Sequence, residues 1–306
     1  MAAKADRRGL VRQSHEALQR AQSLAPDFPA TAVADAMMMP SGGRKLVRAH
    51  GLIDKALETH PDSPLLRGAR TEVLLTLGRM REAMAESERA VEINPLSPAL
   101  FDNRVSALAY GGRPEAGFAE LARAEKRWPG SKLLADTRFR LELRFGDSKR
   151  ALAYLVRNNA DAGSSQYQAL RAYLEARADP RPENIEAALD YLRERNRRDT
   201  ADVVIYLQAL VTFGRLEEAF KVMAPDAAAD SLSNGTDVLF RTYMAPFRAD
   251  RRFMVIAKRM GMVEAWERTR VWPDFCGEPG IAYDCKAEAA KLTHVRDVTE
   301  AGAKLP

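Results

Sequence analysis

The sequence predicts an all-α protein built as a solenoid of stacked helix pairs, and three observations carry that prediction. Ser63, Ser97, Ser131, Ser165, Asp199 and Ser233 stand 34 residues apart. Gly78, Gly112, Gly146 and Gly214 follow four of these positions at a distance of 15 residues. Pro61, Pro95 and Pro129 form a third register with the same period. A period that marks a helix start, a mid-unit break and a unit end belongs to two-helix repeats, which bury their apolar faces only by stacking on neighbours.

Along the chain, Leu10, Ala17, Leu18, Ala21 and Leu24 space as on a helix that already sits inside an array. In the unit from Pro61 to Pro95, Ser63 offers its hydroxyl to an orphaned amide, and Pro64 occupies the first helical position, where its missing N–H costs nothing. That helix is predicted to run to Leu77. Gly78 makes the turn, and a second helix covers Met80 to Ile93. The next unit repeats this with Ser97-Pro98, Gly112 and Pro129, and the following one with Ser131, Gly146 and a helix starting near Ser148. Small residues sit five positions after each glycine (Ala83, Gly117, Ala151, Ala219), and a second small position follows at Ala90 and Ala124. They read as packing positions where the two helices of a unit approach closely. Around Asp179-Pro180-Arg181-Pro182 the glycine is replaced and the turn lengthens. After Ser233, helices are expected over Thr236–Met244, Arg251–Met260 and Val263–Trp272, as an atypical end unit.

The bulk composition suits such an array. Net charge is +5, from 47 basic and 42 acidic side chains, and the excess is scattered. The densest basic cluster, Arg193, Arg195, Arg197 and Arg198, is interrupted by Glu194 and reads as a solvated helix end. Nucleic acid is therefore not the expected partner, since no basic face interleaves with stacking aromatics. No apolar run reaches membrane-spanning length, and Met1 to Arg20 carries charges throughout, without the apolar core of a signal peptide. The expected compartment is the cytoplasm, or the periplasm if the chain is a fragment of something longer.

The residues of the segment Ser63 to Pro129 resemble the tetratricopeptide repeat (TPR) family, in Leu77-Gly78-Arg79, Glu82-Ala83, Ala90-Val91 and Asn94-Pro95. The resemblance extends over roughly residues 30 to 250 with falling clarity. It implies a right-handed α-solenoid of about six TPR-like helix pairs with a capping C-terminal helix and tail. The array is expected over residues 1–262, and the cap with its cysteine-containing tail over 263–306. A second likeness lies in Trp266, Trp272-Pro273-Asp274-Phe275-Cys276 and Tyr283-Asp284-Cys285. These look like the tail of bacterial TPR proteins, some of which join the array to a winged-helix transcription regulator. That likeness implies a sensory or interaction module separated from its output domain.

Chemistry has no support in the sequence. His15, His50, His60 and His294 form no ligand or catalytic spacing, and Gln19 stands where an H-E-x-x-H site after His15 would need its second histidine. Ser41-Gly42-Gly43 lacks the Lys-Ser/Thr of a phosphate loop, and Met37-Met38-Met39 reads as core filling. No enzyme activity, cofactor or metal is expected. Cys276 and Cys285 leave three readings open: a disulfide stapling the tail, a metal site helped by Asp274, Asp284 and His294, or two reduced thiols packed under the terminal tryptophans.

By the TPR resemblance, the first helix of each unit lines a concave wall. Carried over by register, the groove candidates are Glu72, Asp102, Ser106, Tyr110, Asp136, Arg140, Arg144, Tyr167, Arg177 and Gln208. Asn103 fits one position of the family's carboxylate clamp, but Leu133 and Thr137 stand where its cations belong, so that clamp is not expected. The expected function is a non-enzymatic module that holds a protein or peptide segment in this groove. The alternative is a ligand- or signal-sensing domain of a bacterial transcription regulator.

Overall fold

The structure, a computed structural model, describes residues 2–38, 45–158, 163–198, 203–224 and 236–292. Among them α1 (Ala2–Leu24) precedes six helix pairs: α2 (Pro29–Met38) with α3 (Lys45–Thr59), α4 (Pro64–Thr76) with α5 (Met80–Ile93), α6 (Pro98–Tyr110) with α7 (Pro114–Arg127), α8 (Lys132–Arg144) with α9 (Ser148–Asn158), α10 (Ser165–Ala178) with α11 (Pro182–Arg198), and α12 (Val203–Thr212) with α13 (Leu216–Met223). Each helix packs on its partner and on the next pair, the contact pattern of an all-α solenoid.

The repeat registers have physical counterparts. The hydroxyls of Ser63, Ser97 and Ser131 accept from the backbone N–H groups of Leu66, Leu100 and Leu134, each at 3.4 Å. Each such cap contributes about 1 kcal/mol. In the fifth pair the cap is Ser164, which accepts from the Tyr167 amide at 3.3 Å, so Ser165 slips one place into the first turn. Asp199 and Ser233 lie outside the described residues. The small column is buried as expected: Ala83, Ala151 and Ala219 are fully enclosed, with Ala90 and Ala124 beside them.

Gly78, Gly112 and Gly214 end their first helices in the left-handed region, at φ 72°, 82° and 73°. Two of them lead to a test. A Cβ at Gly112 would meet nothing within 4 Å, whereas at Gly78 it would fall 2.5 Å from Cδ1 of Phe240. Gly112→Ala should cost about 1–2 kcal/mol through backbone strain alone. Gly78→Ala should cost about 1–3 kcal/mol more, because the Phe240 ring must move. Urea unfolding of the two variants checks this, and equal losses would mean Phe240 does not press on the turn.

Phe240 belongs to a cap that departs from the expected end unit. Thr236–Phe240 and Thr242–Met244 are 3-10 turns in place of one α-helix, and Pro246 starts the short helix Ala245–Ala249. Helices Arg252–Arg259 and Met262–Thr269 follow, separated at Gly261 (φ 73°), and the second stops at Arg270 (φ 57°), short of Trp272. The cap returns to the second helix pair. Trp266 Nε1 donates to the Leu77 carbonyl at 2.9 Å, Thr236 Oγ1 to the Thr76 carbonyl at 2.8 Å, and the Asp274 amide to the Gly78 carbonyl at 3.0 Å. The arc of helices is thus closed by its own C-terminal region. One continuous core runs from Leu46 to Ala289, and a smaller cluster of Ala36, Ala49, Ile53 and Leu66 holds the first pair.

Candidate inner-wall binding surface

The first helices of successive pairs form one wall: α2 packs on α4, α4 on α6, α6 on α8, and α10 on α12. The last residues of α4, α6, α8, α10 and α12 are Thr76, Tyr110, Arg144, Ala178 and Thr212, spaced at the repeat period. Along this row the C-terminal ends of the helices present partial negative charge, which favours cations. The cap lays Arg241 into the row, and its guanidinium sits 4.7 Å from the centroid of the Tyr110 ring. Arg144 covers the same ring at 5.6 Å and donates to the Tyr110 hydroxyl at 2.8 Å.

A polar network continues from there. Arg241 donates to Asp237 and, at 3.2 Å, to the Tyr243 hydroxyl. Tyr243 donates to Gln208 Oε1 at 3.1 Å, and Gln208 Nε2 to the Tyr173 hydroxyl at 3.0 Å. Burial lowers the pKa of Arg144, and the charge of Arg241 lowers it further. Arg241 moves the other way: burial opposes its charge, but Asp237 and the surrounding tyrosines raise its pKa. Tyr110, Arg144 and Gln208, expected to face a partner, therefore face the chain's own cap. The physical reason is that the cap brings its own cation and partners: Arg241 is held there by Asp237, the Tyr243 hydroxyl and the face of the Tyr110 ring.

The other half of the wall is open. Leu65 is 46% and Leu133 36% exposed, and Glu72 and Asp136 also reach solvent. Asp102 lies between the halves, accepting from Thr137 Oγ1 at 2.7 Å and from Arg140. Glu72 lies on a concave surface. Loss of bulk water there, together with the charge of Asp102, lifts its carboxyl above the ordinary range despite a hydrogen bond from Asn103. Two clefts open on this side. One, of about 330 Å³, is lined by Asp136, Phe139, Tyr154 and Tyr167, between α8, α9 and α10. The other, of about 310 Å³, lies between α2, α3 and α4.

Among the remaining candidates, Ser106 and Tyr167 are buried in their helices. Arg177 donates to the carbonyls of Leu143 and Gly146 and so joins the pair α10–α11 to the one before it. Asn103 does the same by donating to the Gly68 carbonyl at 3.2 Å. Two features escape sequence reading. Arg241 and Tyr243 lie outside the repeat period, so no register points to them. Arg70, Arg104 and Arg138 do stand 34 residues apart, and each reaches a carboxylate on the second helix of the preceding pair: Asp54, Glu88 and Glu125. This arginine column was visible as a spacing, and it stitches units together.

The basic residues near the end of α11 are engaged locally: Arg193 with Glu218 and Asp190, Arg197 and Arg198 with Glu194, and Arg195 beside the Tyr191 ring. His50 is buried, donating from Nδ1 to Asp54 at 2.8 Å and accepting at Nε2 from Arg79 at 2.9 Å. Burial works against the charge of Asp54, but His50, Arg70 and Arg79 hold its carboxyl below the ordinary range. Met37, read as core filling, is instead 65% exposed beside the cleft of the first pair, and Met39 lies outside the described residues. Cys276 and Cys285 are joined in a disulfide with Cα atoms 6.0 Å apart. Closing so short a loop contributes about 2–3 kcal/mol in the chain-entropy picture. Asp274 is used by Arg81 and Asp284 caps the helix over 285–292, so neither carboxylate serves the sulfurs as a metal site would require. His294 lies outside the described residues.

No family model and no curated protein matches this sequence. Among solved structures the chain is similar to one in the structure of Naa15/Naa10 bound to HypK-THB, with a TM-score of 0.32 and 15% identity over 78% of this chain. The match covers 36% of that longer chain, so the present chain spans about a third of its length.

Proposed function

We propose that this chain is a non-enzymatic interaction module that holds a segment of a partner protein along the open half of its inner wall. The observation that carries the reading is the unequal use of that wall. The C-terminal ends of the first helices are covered by the cap, while Leu65, Glu72, Leu133 and Asp136 stay exposed around two clefts. Apolar anchors interleaved with a few charges suit an extended or helical segment, held by a small number of well-buried contacts. The excess of carboxylates favours a segment with cationic side chains.

The disulfide in the cap adds a proposal about place. Such bonds persist in oxidising compartments, so it favours a protein that works outside the reducing cytoplasm. Among the described residues no helix is long and apolar enough to cross a membrane.

The test is affinity capture with mass spectrometry, comparing the wild type with Leu133→Glu/Asp136→Lys and with Glu115→Lys, a control exposed on α7. At least one protein should be captured by the wild type and the control and lost with the double variant. If the double variant keeps every captured protein, the wall is not the binding surface.

A further inference from the structure

The cleft between α2, α3 and α4 has an apolar floor of Val33, Ala36, Leu46, Ile53, Ala69 and Val73, with Met37 beside it and Glu72 on its edge. Its volume of about 310 Å³ is at the small end for a ligand site. One large apolar side chain, or two smaller ones, would fill it. Met37 is 65% exposed at its rim, where its side chain would meet an incoming apolar group.

The charge on its edge narrows the occupant. Glu72 accepts from the neutral side chain of Asn103, and Asp102 adds a like charge nearby. Arg140, the cation close enough to influence Glu72, is held by Asp102 and Thr137. Arg70, on the same helix, is held by Asp54 and Glu86. The carboxylate is therefore short of countercharge in a place where loss of solvent, and then the charge of Asp102, lifts its pKa. A cation arriving beside the apolar anchor would supply it in a partly desolvated place, where a charge-assisted hydrogen bond is strong.

We infer that this cleft is the anchor subsite of the inner wall, taking an apolar side chain of a partner peptide that carries a Lys or Arg within about one helical turn of it. The inference rests on the interaction reading above and specifies the chemistry of the segment bound at its N-terminal end. Neither a metal nor a bound cofactor is needed.

The probe is a displayed library of random 12-residue peptides panned against the whole chain, followed by anisotropy titration of one labelled selected peptide. Selected sequences should share an apolar residue with Lys or Arg no more than four positions away. Ala69→Trp, which fills the floor, should weaken the titrated peptide about tenfold or more, and Glu72→Gln by several-fold. Met37→Lys gives a second reading of the cleft without touching buried packing, and it should weaken the peptide as well, by removing apolar surface and repelling the peptide's cation.

Selected peptides without a cation, or an affinity indifferent to both Ala69→Trp and Met37→Lys, would overturn the inference. If Leu133→Glu/Asp136→Lys abolishes binding while the α2–α4 variants do not, the module reading stands and this subsite falls. If sedimentation shows the wild type dimerising and Met37→Lys monomeric, the occupant is a second copy of the chain, and the inference falls on that result too.

Discussion

Replacing Trp266 with alanine is expected to cost about 3–5 kcal/mol, the usual toll of truncating a large aromatic side chain in a core. Trp266 is fully buried, with rings of Phe240, Trp272 and Phe275 at centroid distances of 6.3, 5.9 and 6.3 Å. Its indole N–H also satisfies the carbonyl of Leu77, one of the C-terminal carbonyls of a helix that has no partner within the helix itself. Trp266→Phe separates the two effects. It keeps most of the volume and leaves the Leu77 carbonyl short of a donor, so it should lose about 1–3 kcal/mol. Denaturant midpoints give the totals. Hydrogen exchange gives the location: in Trp266→Ala, amides of 236–244 and 262–269 should open well before those of α8 and α9. A loss below about 1 kcal/mol would show that the cap is not seated on the second pair.

Arg241→Met is expected to cost about 2–4 kcal/mol, because it leaves the Asp237 carboxylate without its cation in the covered half of the wall. The Asp237 side chain keeps 19% exposure, so water shares part of the load and holds the figure below that of a fully buried pair. The same change removes the like charge that lowers the pKa of Arg144. Part of the loss should therefore return as a better-tolerated Arg144 over Tyr110. Asp237→Asn combined with Arg241→Met should be less damaging than the sum of the singles, with a coupling of about 1–3 kcal/mol. Additive losses would mean that the two side chains do not act as a pair.

Much of the fold was legible in the residues. Ser63, Ser97 and Ser131 cap helices where the repeat register puts them, and Gly78, Gly112 and Gly214 adopt the left-handed turn that the spacing demands. These are local effects: a hydroxyl reaching an amide three residues on, or a backbone conformation that disfavours a Cβ. The slip from Ser165 to Ser164 is a local ambiguity of the same kind, since two adjacent serines can both cap. Thr236–Met244 was misread as a helix because its stability comes from contacts across the molecule, as when Thr236 donates to the Thr76 carbonyl 160 residues earlier.

The candidate site divides along the same line. The register assigned ten residues to one wall, but their present surroundings depend on where the cap lies. Glu72 and Asp136 remain open, whereas Tyr110, Arg144 and Gln208 are enclosed by Arg241 and Tyr243. Nothing periodic connects Arg241 to Tyr110, because the contact is a chance of arc length rather than of repeat spacing.

The sequence by itself determined the unit: two helices, a left-handed turn, a buried small column and nearest-neighbour stacking, all set by interactions within about one period. Only the tertiary structure decided that the arc closes on itself and that half of its inner wall is filled from within. Stacking fixes a small rotation at each step, and only the rotation accumulated from the second pair to the cap brings Trp266 to the carbonyl of Leu77. A nearest-neighbour code carries no information about where its two ends meet.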